Sequence, residues 1–391
     1  MKPSNKIRVA VLFGGRSAEH EVSLQSAANV IQYLDPNQFE VIPIGIDKQG
    51  NWLMNEHVFE KSLEHASVPK SHDDSHTWFT AEWVGKAVTQ QEATSMTRME
   101  NGARHFDVVF PAVHGALCED GTLQGLLELA GIPYVGCGVL ASAMGMDKDI
   151  SKRLAMHANI LVPSYLVIKK ERFLQLPDQC VNDIEQQLTY PVFVKPANTG
   201  SSIGITKVKT KDQLKSAIDN AFQFDTKILV EKALDIIELE IAALESLKPN
   251  EDPIVSVVGE VKPRHEFYTY EAKYVDEQGA ELIIPADIPN EIAESARRIA
   301  QQLFKILECE GMSRVDLFLE KGTNKIYFNE INTIPGFTQI SMYPKLMSAS
   351  GMAYAELLTH LIKLAIKRHQ NRSELIRNYT GDRIVEPNRT A

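Results

Sequence analysis

The chain has 391 residues, of which 44% are hydrophobic and 24% charged, as in an ordinary globular protein of two or three domains. Its formal net charge of −10 argues against a nucleic-acid-binding role, because proteins of that class normally carry a basic excess. No apolar run is long enough to span a bilayer and residues 1–6 do not resemble a signal peptide, so we expect a cytoplasmic protein with no membrane partner.

Strand-like and helix-like segments alternate over roughly the first 140 residues. Apolar runs at 7–13, 41–46 and 106–111 predict buried strands, and 22–34 and 122–130 predict helices. This alternation predicts a parallel α/β layer. The polar segment 56–104 is interpreted as an insertion or variable surface segment. Its His72 and His76 are interpreted as part of a polar loop, because no further metal ligands follow at a defined spacing.

The remainder of the chain mixes the two kinds of element. Helices are predicted over 146–158, 211–222 and 291–309, the last with Asn290 as N-cap and Gly311 as stop signal. Strands are predicted over 191–195, 203–208, 227–231, 254–261 and 282–284, followed by a hairpin at 313–332. The polar tail after about residue 369 is expected to be peripheral.

Acidic and amide side chains lie on both strands of the predicted hairpin. Alternate residues of a strand share a face, so Arg314 lies with Asp316, and Glu330 lies with Asn332. With the turn centred near 322–323, Asp316 falls opposite residue 329 or 330, with Cβ atoms about 5 Å apart. Two carboxylates so close repel each other, and a hard cation such as Mg²⁺, bridging nucleotide phosphates, removes the conflict. The alternative is a solvent-facing strand with scattered charges.

A small-residue loop follows the predicted strand that ends at Lys195. Its sequence, K-P-A-N-T-G-S-S-I-G (195–204), can expose backbone N–H groups to phosphate oxygens. The order of lysine and glycines differs from that of the Walker motif and of G-x-G-x-x-G. The alternative interpretation is a tight turn without a ligand.

Two further loops follow predicted strands of the N-terminal layer, where open α/β sheets bind ligands. One holds His114 and the acidic turn Glu119-Asp120, a cluster suited to a small charged ligand. Its alternative role is to cap the next helix through Asp120 or Thr122. The other loop, G-G-R-S-A-E-H-E (14–21), holds Glu19, which taken alone would be a solvated side chain.

Eight motifs occur in a fixed order along the chain, and together they resemble the D-alanine–D-alanine ligase family over about residues 7–365. The motifs are F-G-G-R-S-A-E-H-E-V-S-L (13–24), H-G-x-x-x-E-D-G-T-L-Q-G (114–125), M-D-K (146–148), V-K-P (194–196), G-S-S-I-G (200–204), E-A-K-Y (271–274), R-V-D (314–316) and N-E-I-N-T-I-P-G-F-T (329–338).

The resemblance implies an ATP-grasp fold in which two α+β domains enclose ATP. It implies an N-terminal α/β domain at 1–138 with an insertion at about 56–104, a central ATP-grasp subdomain at 139–232, a C-terminal one at 233–370 with the metal and substrate site, and a peripheral tail at 371–391. It also implies a homodimer formed through the N-terminal domain.

The resemblance also implies a role for each matching residue. Nucleotide-binding residues would be Lys148, Lys195, Glu231, Lys232, Leu234, Glu238 and Lys273, and Asp316, Glu330 and Asn332 would hold two magnesium ions, for which Mn²⁺ could substitute. Substrate-binding residues would be Glu19 for the ammonium of the first D-alanine, His114 near its carboxylate, Ser341 for the carboxylate of the second D-alanine, and Gly336 and Arg314. Catalytic residues would be Arg314, which stabilises an oxyanion, and Ser341, with Glu19, Ser201 and Tyr274 forming a hydrogen-bonded set that closes the loop 262–281.

The implied reaction is the ATP-dependent joining of two D-alanines through an acyl phosphate, for peptidoglycan precursor synthesis. Alternatives within the class are a D-alanine–D-lactate ligase, which Tyr274 disfavours, and another ATP-grasp carboxylate–amine ligase. A non-catalytic nucleotide-binding regulator is disfavoured because the predicted metal ligands and Arg314 are all present. The chain departs from the family at Cys118, where glycine is common and a thiol could confer sensitivity to thiol reagents, and at Ile236-Ile237, where a smaller or polar pair is usual.

Overall fold

The structure, a computed structural model, describes residues 6–53, 106–263 and 280–377, together with the backbone of short strands at 78–79, 379–380 and 383–384. Within these residues the chain forms three larger sheets and a short hairpin. No helix in the described part is both long and apolar enough to cross a membrane.

The first sheet has the strand order β4-β3-β2-β1-β5. Its strands are β1 (Ile7–Gly14), β2 (Phe39–Ile46), β3 (Trp52–Leu53), β4 (Trp78–Phe79) and β5 (Val108–Pro111). Strand β1 pairs in parallel with both β2 and β5, and helix α1 (His20–Tyr33) connects β1 to β2. Residues 9–13 of β1 are fully buried, as a central parallel strand requires. The predicted parallel layer is confirmed.

Four helices follow β5 along the chain. They are α2 (Thr122–Leu129), α3 (Val139–Met146), α4 (Lys148–His157) and, after strand β6 (Tyr165–Lys169), α5 (Lys170–Gln175). The predicted helix 146–158 therefore begins at Lys148. Asp147 ends α3 and caps α4, because its carboxylate accepts hydrogen bonds from the backbone N–H groups of Asp149 and Ile150, both at 3.1 Å.

The second sheet is antiparallel, with the order β6-β9-β7-β8. It contains β7 (Val192–Pro196), β8 (Thr206–Val208) and β9 (Lys227–Lys232), with α6 (Pro177–Gln187) and α7 (Lys211–Ala221) beside it. The strand predicted over 203–208 begins only at Thr206. Ser201, Ser202 and Gly204 have φ of 50°, 60° and 72°, a left-handed conformation that a strand excludes.

The third sheet is antiparallel and has the order β13-β12-β10-β14-β15, with β11 also paired to β10. The strands are β10 (Ile236–Leu244), β11 (Ile254–Val255), β12 (Gly259–Pro263), β13 (Ala280–Ile283), β14 (Met312–Glu320) and β15 (Ile326–Asn332). The single strand predicted over 254–261 is two strands, because the hydroxyl of Ser256 accepts the N–H of Ala242 at 3.0 Å and interrupts the backbone ladder.

Helix α8 (Asn290–Ile306) packs on the third sheet. Two predictions about its ends are wrong. Pro289 is the N-cap residue rather than Asn290, and the helix stops well before Gly311 because Glu308 is left-handed, with φ of 52°.

Two C-terminal helices, α9 (Met342–Ala349) and α10 (Tyr354–Ser373), complete the described fold. Phe337 lies in the core that the first and third sheets share, and its ring lies 5.5 Å from that of Phe110 and 5.9 Å from that of Tyr343 on α9. The end of α10 runs into the predicted tail and is not peripheral. Arg372 contacts Glu310 at 3.1 Å and also pairs with Glu128, so acidic partners from two other segments hold this polar turn.

Candidate active site

Most of the predicted functional residues that the structure describes line two adjoining clefts. One has a volume of about 400 Å³ and the other about 540 Å³, and Lys148, Thr199, Gly200, Val261 and Glu330 line both. The smaller, here called the substrate cleft, is bounded by the N-terminal and third sheets. The larger, here called the nucleotide cleft, lies between the second and third sheets. A ligand in one cleft can therefore reach a ligand in the other.

The substrate cleft gathers residues from distant parts of the chain. The predicted residues that line it are Glu19, His114, Lys148, Ser201, Arg314, Glu330, Asn332, Gly336 and Ser341. They come from the loop after β1, the loop after β5, the start of α4, the loop after β7, both strands of the β14–β15 hairpin and the segment before α9. The resemblance to the family implied that these segments converge.

Glu19 is buried, with 6% exposure, and is not the solvated side chain that an isolated loop residue would be. The hydroxyl of Ser201 donates a hydrogen bond to its carboxylate. Two glycines give this carboxylate room. A Cβ atom would stand 2.6 Å from Glu19 Oε2 if added to Gly115 and 3.4 Å from it if added to Gly200. Gly115 also has φ of 80°, which favours glycine.

His114 lies in a buried polar network. Its Nε2 is 3.0 Å from the hydroxyl of Ser26, and its Nδ1 is 3.2 Å from the carbonyl of Ile334 and 3.6 Å from the carboxylate of Glu119. Burial by itself lowers the pKa of His114, but Glu119, Glu19 and the Ile334 carbonyl together raise it above its ordinary value. Burial raises the pKa of Glu119, and the charge of Glu19 adds to the effect. A positively charged His114 would suit a carboxylate ligand.

The two acidic residues of the turn beside His114 have different roles, since Glu119 contacts His114 and Asp120 contacts the backbone of the turn. Asp120 accepts the backbone N–H groups of Leu117 at 2.8 Å and Thr122 at 3.0 Å, so it shapes the turn before α2. The capping interpretation is wrong, because the N-cap residue is Gly121 and no side chain caps this helix. Ser26 was missed by the sequence analysis. Its position on α1, three residues after the buried Ser23, was an available signal for a buried polar face.

The β14–β15 hairpin brings the predicted metal ligands together. Asp316 pairs with Glu330, and Arg314 with Asn332, and a bulge follows Asp316 so that Leu317 pairs with Phe328. The guanidinium of Arg314 donates to both oxygens of Asp316 at 2.7 and 2.6 Å and lies 3.0 Å from Glu240. The ammonium of Lys148 is 3.1 Å from Glu330.

This arrangement fits magnesium. Asp316, Glu330 and Asn332 offer oxygen donors from neighbouring positions, which are the ligands that Mg²⁺ prefers. The carbonyl oxygen of Asn332 is oriented by the N–H of Ile334 at 3.0 Å. In the described residues no group of three or more His, Cys, Asp and Glu side chains forms a metal site. The proposed ligand set therefore depends on the amide oxygen of Asn332 as well as on the two carboxylates.

The nucleotide cleft is lined by all of the predicted nucleotide residues that are described, namely Lys148, Lys195, Glu231, Lys232, Leu234 and Glu238. Lys148 also donates to the carbonyl of Thr199 at 2.6 Å, which ties the start of α4 to the loop after β7. Of the other predicted site residues, Asp316 lines neither cleft, and Lys273 and Tyr274 lie outside the described residues.

A buried charge cluster supports the wall of this cleft. Glu231 is 2.7 Å from the ammonium of Lys195 and 2.9 Å from that of Lys152. Burial would raise the pKa of Glu231, but the two lysines hold it below its ordinary value. Lys195 also lies over the rings of Phe193 and Phe318, at 5.6 and 5.8 Å from their centroids. Lys152 and Phe318 were missed because neither belongs to a motif that the sequence analysis quoted.

Two family models match most of the chain. The model described as the D-ala D-ala ligase N-terminus matches residues 8–137, and the one described as the D-ala D-ala ligase C-terminus matches residues 154–363. The chain belongs to the D-alanine–D-alanine ligase family. This is a family of ATP-dependent ligases with the ATP-grasp fold, so the predicted fold class is confirmed.

Relatives and solved structures agree with this assignment. A D-alanine–D-alanine ligase A from Bradyrhizobium diazoefficiens is 48% identical over 97% of this chain and 100% of its own length. A D-alanine–D-alanine ligase A from Escherichia coli K12 is 42% identical over 93% of this chain and 97% of its own length. A D-Ala:D-Ser ligase structure from Enterococcus faecalis is 38% identical, with a TM-score of 0.78 over 92% of this chain and 99% of that one.

The end of the last family motif (329–338) and Ser341 after it line one wall of the substrate cleft. The hydroxyl of Ser341 accepts the N–H of Thr338 at 3.0 Å and is 2.8 Å from the hydroxyl of the same residue. A Cβ atom on Gly336 would be 2.7 Å from this Ser341 oxygen, so a side chain there would displace it. Ser341 immediately precedes α9, whose N-terminus favours a negatively charged ligand.

Cys118, the departure from the family motif, is buried, and its sulfur would lie 3.6 Å from a Cβ atom added to Gly15. Burial raises the pKa of its thiol to about 12, and the carboxylates of Glu119, Asp120 and Glu19 contribute to the increase. The thiolate is the reactive form, so the expected sensitivity to thiol reagents is not supported by this environment.

Proposed function

We propose that this protein joins two D-alanine molecules into D-alanyl-D-alanine, driven by ATP, and so supplies the dipeptide for peptidoglycan precursors. The observation that carries the proposal is the junction of the two clefts at Lys148 and Glu330, beside Arg314. A carboxylate in the substrate cleft can there meet the terminal phosphate of a nucleotide in the other cleft.

Residues of the nucleotide cleft would bind ATP in distinct ways. We assign the phosphates to Lys148 and Lys195, the adenine to Glu231, Lys232 and Leu234, and the ribose to Glu238, with Lys273 reaching the γ-phosphate. Asp316, Glu330 and Asn332 would hold two magnesium ions, with Mn²⁺ as a substitute. The metal would supply charge neutralisation for the transferring phosphoryl group.

Residues of the substrate cleft would bind the two amino acids. The buried carboxylate of Glu19 suits the ammonium of the first D-alanine, and His114, whose pKa is raised, suits its carboxylate. The hydroxyl of Ser341 and the N-terminus of α9 suit the carboxylate of the second D-alanine, with Gly336 leaving room for Ser341.

The chemistry requires activation of the first carboxylate, because oxide is too poor a leaving group. A carboxylate oxygen of the first D-alanine attacks the γ-phosphorus, the bond to ADP breaks, and an acyl phosphate forms. The neutral amine of the second D-alanine then attacks the acyl carbon, phosphate leaves with the shared oxygen, and the amine releases a proton to solvent. Arg314 stabilises the tetrahedral oxyanion between these steps, since its guanidinium keeps its charge.

Water has to be kept from the acyl phosphate. We assign this task to the segment 262–281, held closed by Tyr274 with Ser201 and Glu19. The hydrogen bond from Ser201 to Glu19 supports two of these three members. We also propose that the protein acts in the cytoplasm, where ATP and D-alanine are available, as a homodimer formed through its N-terminal domain. Sedimentation equilibrium would reveal a monomer if the dimer proposal is wrong.

A second candidate is the joining of D-alanine to D-serine. It rests on the similarity to the Enterococcus faecalis D-Ala:D-Ser ligase, whereas the curated relatives described above are both D-alanine–D-alanine ligases. A D-alanine–D-lactate ligase or another carboxylate–amine ligase would use the same two clefts.

The test is phosphate release from ATP with D-alanine or L-alanine, with and without magnesium. We expect magnesium-dependent release with D-alanine and none with L-alanine. D-Alanine labelled with ¹⁸O in its carboxylate should transfer one labelled oxygen to the phosphate, because the acyl phosphate shares that oxygen. Release without label transfer would refute the acyl phosphate. ATP binding without release, whichever amino acid is supplied, would favour a regulator.

A further inference from the structure

A buried lysine stands behind the wall of the nucleotide cleft. Lys152 has 0% exposure and is not among the described residues that line either cleft. Its ammonium lies 2.9 Å from one carboxylate oxygen of Glu231 and 3.2 Å from the carbonyl of Phe328. Burying an ammonium is unfavourable unless it is paired, so the pairing of Lys152 with Glu231 is needed to keep its charge in this position.

The position of Lys152 follows from α4. It lies four residues after Lys148, and residues at this spacing share one face of a helix. One helix thus directs Lys148 to Glu330 on the hairpin and Lys152 to Glu231 on β9. The two lysines differ in exposure, because Lys148 lines both clefts and Lys152 lies beneath them.

The charges of the cluster explain what Lys152 does. Glu231 lies between Lys152 and Lys195, with one oxygen close to each ammonium. Burial lowers the pKa of Lys152, and the charge of Glu231 opposes this effect. With both lysines protonated, the three side chains together carry one net positive charge. Without Lys152, Lys195 and Glu231 would neutralise each other, and this cluster would contribute no net charge to the cleft.

We propose that Lys152 is a positioning residue for the nucleotide, which neutralises Glu231 so that the charge of Lys195 acts on the phosphates of ATP. Lys195 is the member of the cluster suited to this contact, since it lines the nucleotide cleft between two aromatic rings. The inference rests on the proposed function only in taking ATP as the ligand.

The test compares a charged ligand with an uncharged one. Lys152→Gln removes the charge but keeps N–H donors for Glu231 and the Phe328 carbonyl, and Lys152→Arg keeps the charge. The dissociation constants of ATP and adenosine are measured by calorimetry without magnesium, so that neither metal binding nor turnover contributes. We expect Lys152→Gln to weaken ATP binding about tenfold, the order of loss for one partly screened charge, and to leave adenosine binding unchanged.

Two further variants test whether the change in ATP affinity is caused by the loss of charge. Lys152→Gln combined with Glu231→Gln restores one net positive charge, so the ratio of ATP to adenosine affinity should return towards that of the wild type. Lys152→Arg, which keeps the charge, should also have a ratio close to that of the wild type. Lys170→Gln is the matched control, because Lys170 also donates to a carbonyl, that of Phe222 at 3.0 Å, but does not line either described cleft. It should leave both affinities unchanged.

Equal weakening of ATP and adenosine by Lys152→Gln would show a structural role and overturn the proposal, as would unchanged ATP binding. If Lys152→Gln does not fold, Glu231→Gln alone supplies the reverse test. It leaves two cations without their anion, so the preference for ATP over adenosine should rise, and a fall or no change would refute the charge argument. Ligation activity is measured separately, so loss of the proposed reaction would not be mistaken for failure of this inference.

Discussion

Gly115→Ala tests whether the buried carboxylate of Glu19 binds the first D-alanine. Gly115 has φ of 80°, and alanine in this left-handed conformation costs about 1–2 kcal/mol of unfolding free energy. The new Cβ would also stand 2.6 Å from Glu19 Oε2, whereas ordinary contact begins at 3.4 Å. The carboxylate must therefore withdraw by about 0.8 Å, the difference between these two distances.

The displacement should weaken the hydrogen bond from the substrate ammonium to Glu19. A hydrogen bond to a charged group contributes about 1.5–3 kcal/mol, so kcat/KM for D-alanine should fall roughly 10- to 150-fold. The KM for ATP should stay within about twofold, because Glu19 does not line the nucleotide cleft. Phosphate release measured against each substrate gives these values, and urea unfolding gives the change in stability.

Gly131→Ala is the matched control for the backbone. Gly131 has φ of 65° and no atom within 4 Å of an added Cβ, so this variant carries the backbone penalty without the contact. Gly131→Ala should lose about 1–2 kcal/mol of unfolding free energy and keep wild-type kinetics, whereas Gly115→Ala should lose more, because its added Cβ also meets Glu19. Equal kinetics for the two variants would refute the assignment of Glu19 to the substrate.

Four other predictions follow from the site and its surroundings. Arg314→Ala should reduce kcat about 10²- to 10³-fold, since a hydrogen-bond donor to the oxyanion is lost, while ATP binding stays measurable by calorimetry. An unchanged kcat would show that Arg314 does not stabilise the oxyanion. Glu19→Gln should raise the KM for D-alanine more than the KM for ATP in steady-state kinetics, and equal increases would count against its role. Cys118, with a pKa of about 12, should resist iodoacetamide at neutral pH in the folded protein and react once urea unfolds it, as mass spectrometry would record. Gly125→Ala, within α2 and with nothing within 4 Å of the added Cβ, should raise the unfolding free energy by about 0.5–1 kcal/mol in urea titrations, and a loss of stability would contradict the free space there.

The hairpin illustrates what local sequence determines. The two-residue period of a strand settled which side chains share a face, and the turn near Gly322 limited the partner of Asp316 to residue 329 or 330. The structure selects Glu330, because the bulge after Asp316 leaves Asn329 without a paired position on β14. A bulge depends on packing on both sides of the sheet, so the choice could not be made from the sequence.

The buried supports of the site were harder to predict. Ser26 contacts His114 across 88 positions and Lys152 contacts Glu231 across 79, and nothing in the local sequence of either partner specifies such a pairing. The strand predicted over 203–208 was too long at its start because Gly204 is left-handed, with φ of 72°, and continues a turn in which Ser201 and Ser202 are also left-handed, which is unusual for residues with a side chain. The roles of Lys273 and Tyr274 remain predictions from the family resemblance, since both lie outside the described residues.

The identity of the product tests the proposed function most directly. The protein is incubated with ATP, magnesium and equal concentrations of D-alanine, D-serine and D-lactate, and the products are identified by mass spectrometry against synthetic standards. We predict D-alanyl-D-alanine as the main product, formed in proportion to the ADP released. A main product of D-alanyl-D-serine or D-alanyl-D-lactate, or ADP release with no dipeptide, would contradict the assignment of a second D-alanine to the site beside Ser341.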